Sequence, residues 1–207
     1  MSTDRSTARG SLPAAVAGAC ALVLLTACGG GDPPEATPGA GTSPPVPTAS
    51  APPTTDFNDV DVAFAQMMIA HHRQAVEMAG LAATRAADPE LKELAAEIAR
   101  VRGAEIAAMT GWLAAWGKAA TPAEGHGGRD MPGMATGAQM AGLRRAEGAE
   151  FDRRFAELMI DHHRGAIEMA ATEREEGLSP AARRFAGTVE TARRAEIERL
   201  EGMLGRR

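Results

Sequence analysis

The sequence predicts an all-α fold, a four-helix bundle built from two duplicated helical hairpins. Three observations lead there. The first is composition: of 207 residues 44% are hydrophobic, yet only 3% are aromatic and Tyr is absent. Ala, Leu, Glu and Arg dominate, and the β-branched and aromatic residues that strands favour are scarce. The second is an internal repeat. Residues 64–79 read FAQMMIAHHRQAVEMA and residues 155–170 read FAELMIDHHRGAIEMA, so 11 of 16 positions are identical at an offset of 91. The third is punctuation, because each copy carries a capping side chain followed by proline, Asp88-Pro89 and Ser179-Pro180. Proline at the first helical position loses nothing by lacking an N–H.

These signals predict helices at residues 57–87, 89–116, 149–176 and 180–204. Gly117 and Gly177 sit where helices should stop and would tolerate a left-handed cap. Thr136 and Gln139 have capping-box spacing, so a short extra helix begins near Gly137. The offset of 91 also aligns Asp61 with Asp152 and Ala104-Glu105-Ile106 with Ala195-Glu196-Ile197, so the duplication spans a helix, a turn and a second helix. Two hairpins that each expose an apolar face bury it most economically against one another. Small residues at Ala75, Ala79, Ala166 and Ala170 allow close approach. Residues 118–138 hold seven glycines or prolines and read as a long, mobile crossover.

The domain organisation follows in order along the chain. Arg5 and Arg9 precede a short apolar run that ends in Leu25-Thr26-Ala27-Cys28. This is a secretory signal over residues 1–27, too short to span a bilayer as a helix. Its end resembles the lipobox of bacterial lipoproteins, which implies cleavage before Cys28 and acylation of that residue; an ordinary signal with an unmodified Cys is the alternative. Residues 28–55 hold the lipidated Cys and a tether rich in Pro, Gly, Ser and Thr, which could reach ~80 Å from a membrane if extended. The bundle occupies residues 56–207: a first repeat (56–117), the crossover (118–147) and a second repeat (148–207). The expected location is the outer face of the cytoplasmic membrane, with the bilayer as a partner through acylated Cys28.

Function classes narrow quickly. The net charge of −5 with no basic stripe argues against nucleic acid. Cys20 leaves with the signal and Cys28 is acylated, so no thiol remains for catalysis, a disulfide or a metal. No nucleophile elbow, phosphate-cradling loop or His-Glu-x-x-His is present. What remains are two His-His pairs. At about 100° per residue, His71, Met78 and Phe64 fall within about 40° of one another on the core-facing stripe, and Asp61, Met68 and His72 form the adjoining stripe. Met68 precedes His71 by three residues and His72 by four, so a thioether and imidazoles can converge on one ion. Met159, His162, His163 and Met169 repeat the arrangement. Thioether and imidazole suit copper, whereas zinc more often takes Cys or carboxylate beside His; another transition metal is the alternative.

Methionine at helical spacing is otherwise a core filler, the expected role of Met67, Met109, Met140 and Met203. Four imidazoles buried without partners would be costly. Glu105 and Glu196 are candidate partners that orient the histidines or serve as ligands, as are Asp61 and Asp152. Glu77 and Glu168 are read as solvated. His126, Met131 and Met134 in the crossover form a candidate second metal patch, with plain linker as the alternative.

The pattern D-x2-FA-x2-MI-x-HH-x2-A-x-EMA followed by AEI, in two copies behind a lipoprotein-like signal, resembles the family called domain of unknown function 305. The resemblance covers about residues 59–204. It implies a ferritin-like four-helix bundle, with some members secreted or periplasmic copper binders linked to copper tolerance, and His71, His72, Met78, His162, His163 and Met169 match its motif positions. The chain departs from the family where a glutamine three residues before the AEI glutamate is Arg102 and Arg193, and where Trp112-Leu113 becomes Met203-Leu204. Copper buffering is the leading expectation. The alternatives are a ferritin-like metal-dependent oxidoreductase, which normally needs Glu-x-x-His spacing that this chain lacks, and a metal-free helical interaction module.

Overall fold

The structure, a computed structural model, describes residues 56–121 and 131–206. The signal, Cys28, the whole tether and His126 lie outside the described residues. Among these residues the order is α1 (Asp59–Arg85), α2 (Pro89–Ala115), α3 (Gly137–Arg145), α4 (Gly148–Glu176) and α5 (Pro180–Gly205). The four long helices are those predicted, within two residues at each end. α1 packs along α2, α4 along α5, and α1 faces α4 across the centre.

The caps work as the sequence suggests. Asp88 accepts from the Glu90 N–H at 2.8 Å and Ser179 from the Ala182 N–H at 3.4 Å, each just before its proline. Thr136 and Gln139 close a reciprocal capping box on α3. Such caps are worth about 1 kcal/mol each. Gly117 adopts φ +66° beyond α2, the predicted left-handed stop. Gly177 does not. Its φ is −67°, and glycine is needed there for space, since a Cβ would come within 2.3 Å of the Glu173 carboxylate.

The two repeats are clasped by exchanged carboxylates. Asp61 in α1 accepts from the N–H groups of Leu178 (3.1 Å) and Ser179 (2.9 Å), in the turn of the second hairpin. Asp152 in α4 accepts from those of Ala87 (3.0 Å) and Asp88 (3.1 Å), in the turn of the first. Each repeat thus satisfies otherwise orphaned amides at the other's helix start.

The apolar interior falls into two clusters. One gathers Met78, Leu91, Leu94, Ile98, Phe151, Phe155, Met159 and Leu200. The other gathers Phe64, Met68, Ile69, Met109, Trp112, Met169, Phe185 and Val189. Along every long helix the residues between these clusters are polar and buried: His71 and His72, Arg102 and Glu105, His162 and His163, Arg193. A polar layer therefore crosses the middle of the bundle, with Glu196 at its edge.

In its described part the crossover is not the mobile segment predicted. Residues 131–135 lie as a strap over α1 and α4. Gln74 grips it from both sides, its amide nitrogen donating to the Ala135 carbonyl (2.9 Å) and its oxygen accepting from the Ala135 N–H (2.8 Å). At the equivalent position of the second repeat stands Gly165, where a Cβ would lie 2.0 Å from the Pro132 oxygen. A difference between the repeats, Gln against Gly, is explained by one strap touching both.

Glu173 is buried beside Asp61. Burial, then a hydrogen bond with Asp61 and its charge, push the Glu173 carboxyl up to about 9. It is therefore protonated at pH 7. Because the unfolded chain releases that proton near the ordinary 4.5, the folded state binds more protons between these values and loses stability as pH rises through the window. Glu173→Gln should flatten this slope, raising Tm at pH 8.5 relative to the native chain while changing little at pH 4.5, measured by thermal unfolding across pH.

Candidate metal centre

The polar layer is built from residues that the duplication places twice. His71 and His162 meet where α1 crosses α4, their ring centroids 3.6 Å apart with 35° between planes. His162 Nε2 lies 3.1 Å from the His71 carbonyl oxygen, and His71 Nε2 lies 3.2 Å from that of Pro132 in the strap. The outer histidines turn to the second helix of their own hairpin. His72 Nε2 is 2.8 Å from Glu105 Oε2 and His163 Nε2 is 2.7 Å from Glu196 Oε2.

All four Nε2 partners can only accept hydrogen bonds when the glutamates are ionised. These acceptors favour the Nε2–H tautomer, which leaves Nδ1 of each ring as the lone-pair nitrogen. The Nδ1 atoms of His71, His72 and His163 are buried and have no hydrogen-bond partner, and the Nε2 atoms of His72 and His163 meet their glutamates at ion-pair distance without hydrogen-bond alignment. Unpartnered buried acceptors are costly. Imidazoles oriented by a carboxylate or carbonyl on one nitrogen, with the other left free, are what metal-binding histidines require, so these residues fit a soft ion.

The electrostatics keep the imidazoles neutral. Burial pushes His72 and His163 down to about 4, against the partial opposition of Glu105 and Glu196. Burial and neighbouring histidines hold His71 and His162 well below 6.5. Nitrogen lone pairs are thus available at neutral pH without proton release.

The glutamates are tied down by two arginines that cross between repeats. Arg193 Nη2 donates to Glu105 Oε2 at 2.6 Å, and Arg102 reaches Glu196 in the opposite direction. Each arginine also approaches the glutamate one turn along its own helix, at 3.5 and 3.6 Å. Burial alone would raise the Glu105 carboxyl, but Arg193, His72 and Arg102 hold it at about 2. Glu196 is likewise held far below the carboxylate range by His163 and both arginines, against burial. Burial and the nearby Arg193 lower Arg102 only to about 10, so both ions persist. Two carboxylates and two guanidiniums balance.

Of the sequence-predicted residues, the structure brings together His71, His72, His162, His163, Glu105 and Glu196. Glu105 and Glu196 orient histidines while paired with arginine, an arrangement that disfavours service as ligands. Met68 and Met159 stand one turn before the histidines and are fully buried, bordering the layer. Met78 and Met169 lie in the two apolar clusters, about two turns beyond the histidines. Asp61 and Asp152 are engaged with the hairpin turns rather than with histidine. Met131 and Met134 flank the strap residue that holds His71, and Met134 N–H closes a turn on the Met131 carbonyl at 3.3 Å. Among the described residues no three His, Cys, Asp or Glu side chains form a ready-made metal site.

Sequence reasoning missed Pro132, Gln74 and the arginines as builders of the centre. The signal for the arginines was present, an Arg three residues before the glutamate in both copies. Removing one cation should strand a buried carboxylate, so Arg193→Met should cost about 3 kcal/mol in urea unfolding. Adding Glu105→Gln to that variant should recover part of the loss.

Comparison with known proteins converges on one family. No curated protein matches the chain. A DUF305 protein of Streptomyces coelicolor, described as secreted, has a solved structure with 32% identity and a TM-score of 0.67 over 71% of this chain and 93% of that one. A DUF305 fragment from Deinococcus radiodurans shares 32% identity and a TM-score of 0.66 over 72% and 98%. CopM in its Cu(I)-bound form shares 31% identity and a TM-score of 0.61 over 70% and 96%, and CopM is also known in Cu(II)-bound and Ag-bound forms. The profile of the family described as "Domain of unknown function (DUF305)" matches residues 61–204, and the chain belongs to that family.

Proposed function

We propose that this protein binds copper in the polar layer of its bundle and, tethered to the membrane through Cys28, buffers the metal outside the cytoplasm. The observation that carries the reading is that every histidine Nε2 in the layer faces an oxygen acceptor within 3.2 Å, while the Nδ1 atoms of His71, His72 and His163 are buried and unpartnered. Neutral imidazoles, with the buried thioethers of Met68 and Met159 one helical turn before them, would make a soft donor set suited to Cu(I) at low coordination number. The solved copper-bound and silver-bound forms of CopM support the same class of ion. Lipid anchoring rests on the lipobox-like Leu25-Thr26-Ala27-Cys28; among the described residues no helix is long and apolar enough to cross a membrane.

A ferritin-like oxidoreductase is less well supported, because such centres use several open carboxylates and both buried glutamates here are neutralised by arginine. An anaerobic Cu(I) titration against a chromophoric chelator tests the proposal. At least one equivalent should bind per chain, and replacing all four paired histidines with Ala should abolish it. Since that variant removes much of the layer, Met68→Leu with Met159→Leu serves as the near-isosteric control, expected to weaken Cu(I) at least about tenfold with an unchanged fold. Unaltered stoichiometry and affinity in both variants would refute the reading.

A further inference from the structure

The duplication gives the bundle two equivalent grooves between α1 and α4, and among the described residues only one is filled. On that side α3 inserts Met140 and Leu143 into the cluster containing Met78 and Phe155, and Arg144 pairs with Glu77 at the rim. Moving by 91 residues turns Phe155, Met78 and Glu77 into Phe64, Met169 and Glu168. Those three line a cavity of about 430 Å³ on the opposite side, with Met67 and Val60. Phe64 and Met169 form its buried floor. Asp59 and Glu168 stand on its exposed rim, and Glu168 has no cationic partner among the described residues.

The segment that the duplication aligns with α3 lacks the side chains to fill this groove. Residues 46–54 read VPTASAPPT, so Ala49 and Pro52 stand where α3 carries Met140 and Leu143. Three prolines in nine residues also oppose a helix.

We infer that the open groove docks an amphipathic helix of a partner protein, about nine residues long, with two large apolar side chains three positions apart and an Arg or Lys directly after the second. The filled groove supplies the pattern, since Met140, Leu143 and Arg144 have that spacing and meet an apolar floor and an acidic rim. The open groove offers the same floor and a rim with two acidic residues, complementary to such a segment. A helix seated there would lie beside Pro132, the strap residue that holds His71. The inference is independent of which metal the centre takes.

A fluorescein-labelled peptide of residues 136–146, TGAQMAGLRRA, is the probe, read by anisotropy on the full-length chain. It should bind saturably at one per chain. Ala63→Trp, which fills the groove from an exposed position, should abolish binding. Glu168→Arg should weaken it about fivefold, and a peptide carrying Glu in place of Arg144 should regain that loss on this variant alone. Absence of binding up to about 1 mM, or binding that survives Ala63→Trp because the peptide exchanges into the groove of α3, would overturn the inference. So would reversible self-association abolished by Ala63→Trp, which would make a second copy the occupant.

Discussion

Two carboxylates, Glu105 buried between the four helices and Glu196 at the edge of the same layer, govern this structure. Glu105 and Glu196 give the outer histidines a fixed tautomer, but a carboxylate in that setting is tolerable only beside a cation, and an isolated one would cost several kcal/mol. Arg102 and Arg193 provide the cations across the repeat boundary, each reaching the glutamate of the other hairpin. The same contacts that neutralise the charges therefore join α2 to α5. Burial keeps the imidazoles neutral, so His71 and His162 can lie with ring centroids 3.6 Å apart and planes tilted by 35° without charge repulsion.

The polar layer also explains the division of the apolar interior into two clusters and the exchange of Asp61 and Asp152 between hairpin turns. Near-symmetry makes every clasp double: two Asp–turn contacts, two His–Glu pairs, two Arg–Glu crossings. The crossover breaks the symmetry. Its strap meets Gln74 on one side and Gly165 on the other, and its helix α3 fills one groove and leaves the equivalent one uncovered among the described residues.

Most of the fold was legible in the sequence because it depends on local signals. The proline turns, the capping box at Thr136 and the inward arc of His71, Met78 and Phe64 are set by residues within a few positions of one another. Gly177 misled because glycine can be required for room as well as for positive φ, and the Glu173 side chain that claims the room announces itself only in three dimensions. The candidate centre was half legible. Paired histidines and the aligned glutamates pointed to it, yet Arg102 and Arg193 read as departures from a family pattern, since nothing local shows that each reaches a carboxylate 94 or 88 residues away. Asp61 and Asp152 shared the histidine stripe in projection, but their backbone partners lie 117 and 65 residues off. The strap was hidden for the same reason, its glycines suggesting mobility until Gln74 and Gly165 were seen to receive it.

On the proposed reading the four histidines are preset as Nε2–H tautomers, with Nδ1 of His71, His72 and His163 free for a soft ion. Long-range ¹H–¹⁵N correlation spectra of the histidine rings test this directly, first without metal at pH 7 and then with one equivalent of diamagnetic Cu(I) or Ag(I). Four Nε2–H rings are expected, with Nδ1 resonances shifting on metal addition while the Nε2 hydrogens remain. Nδ1–H rings in the metal-free protein, or Nδ1 resonances that ignore the metal, would contradict it.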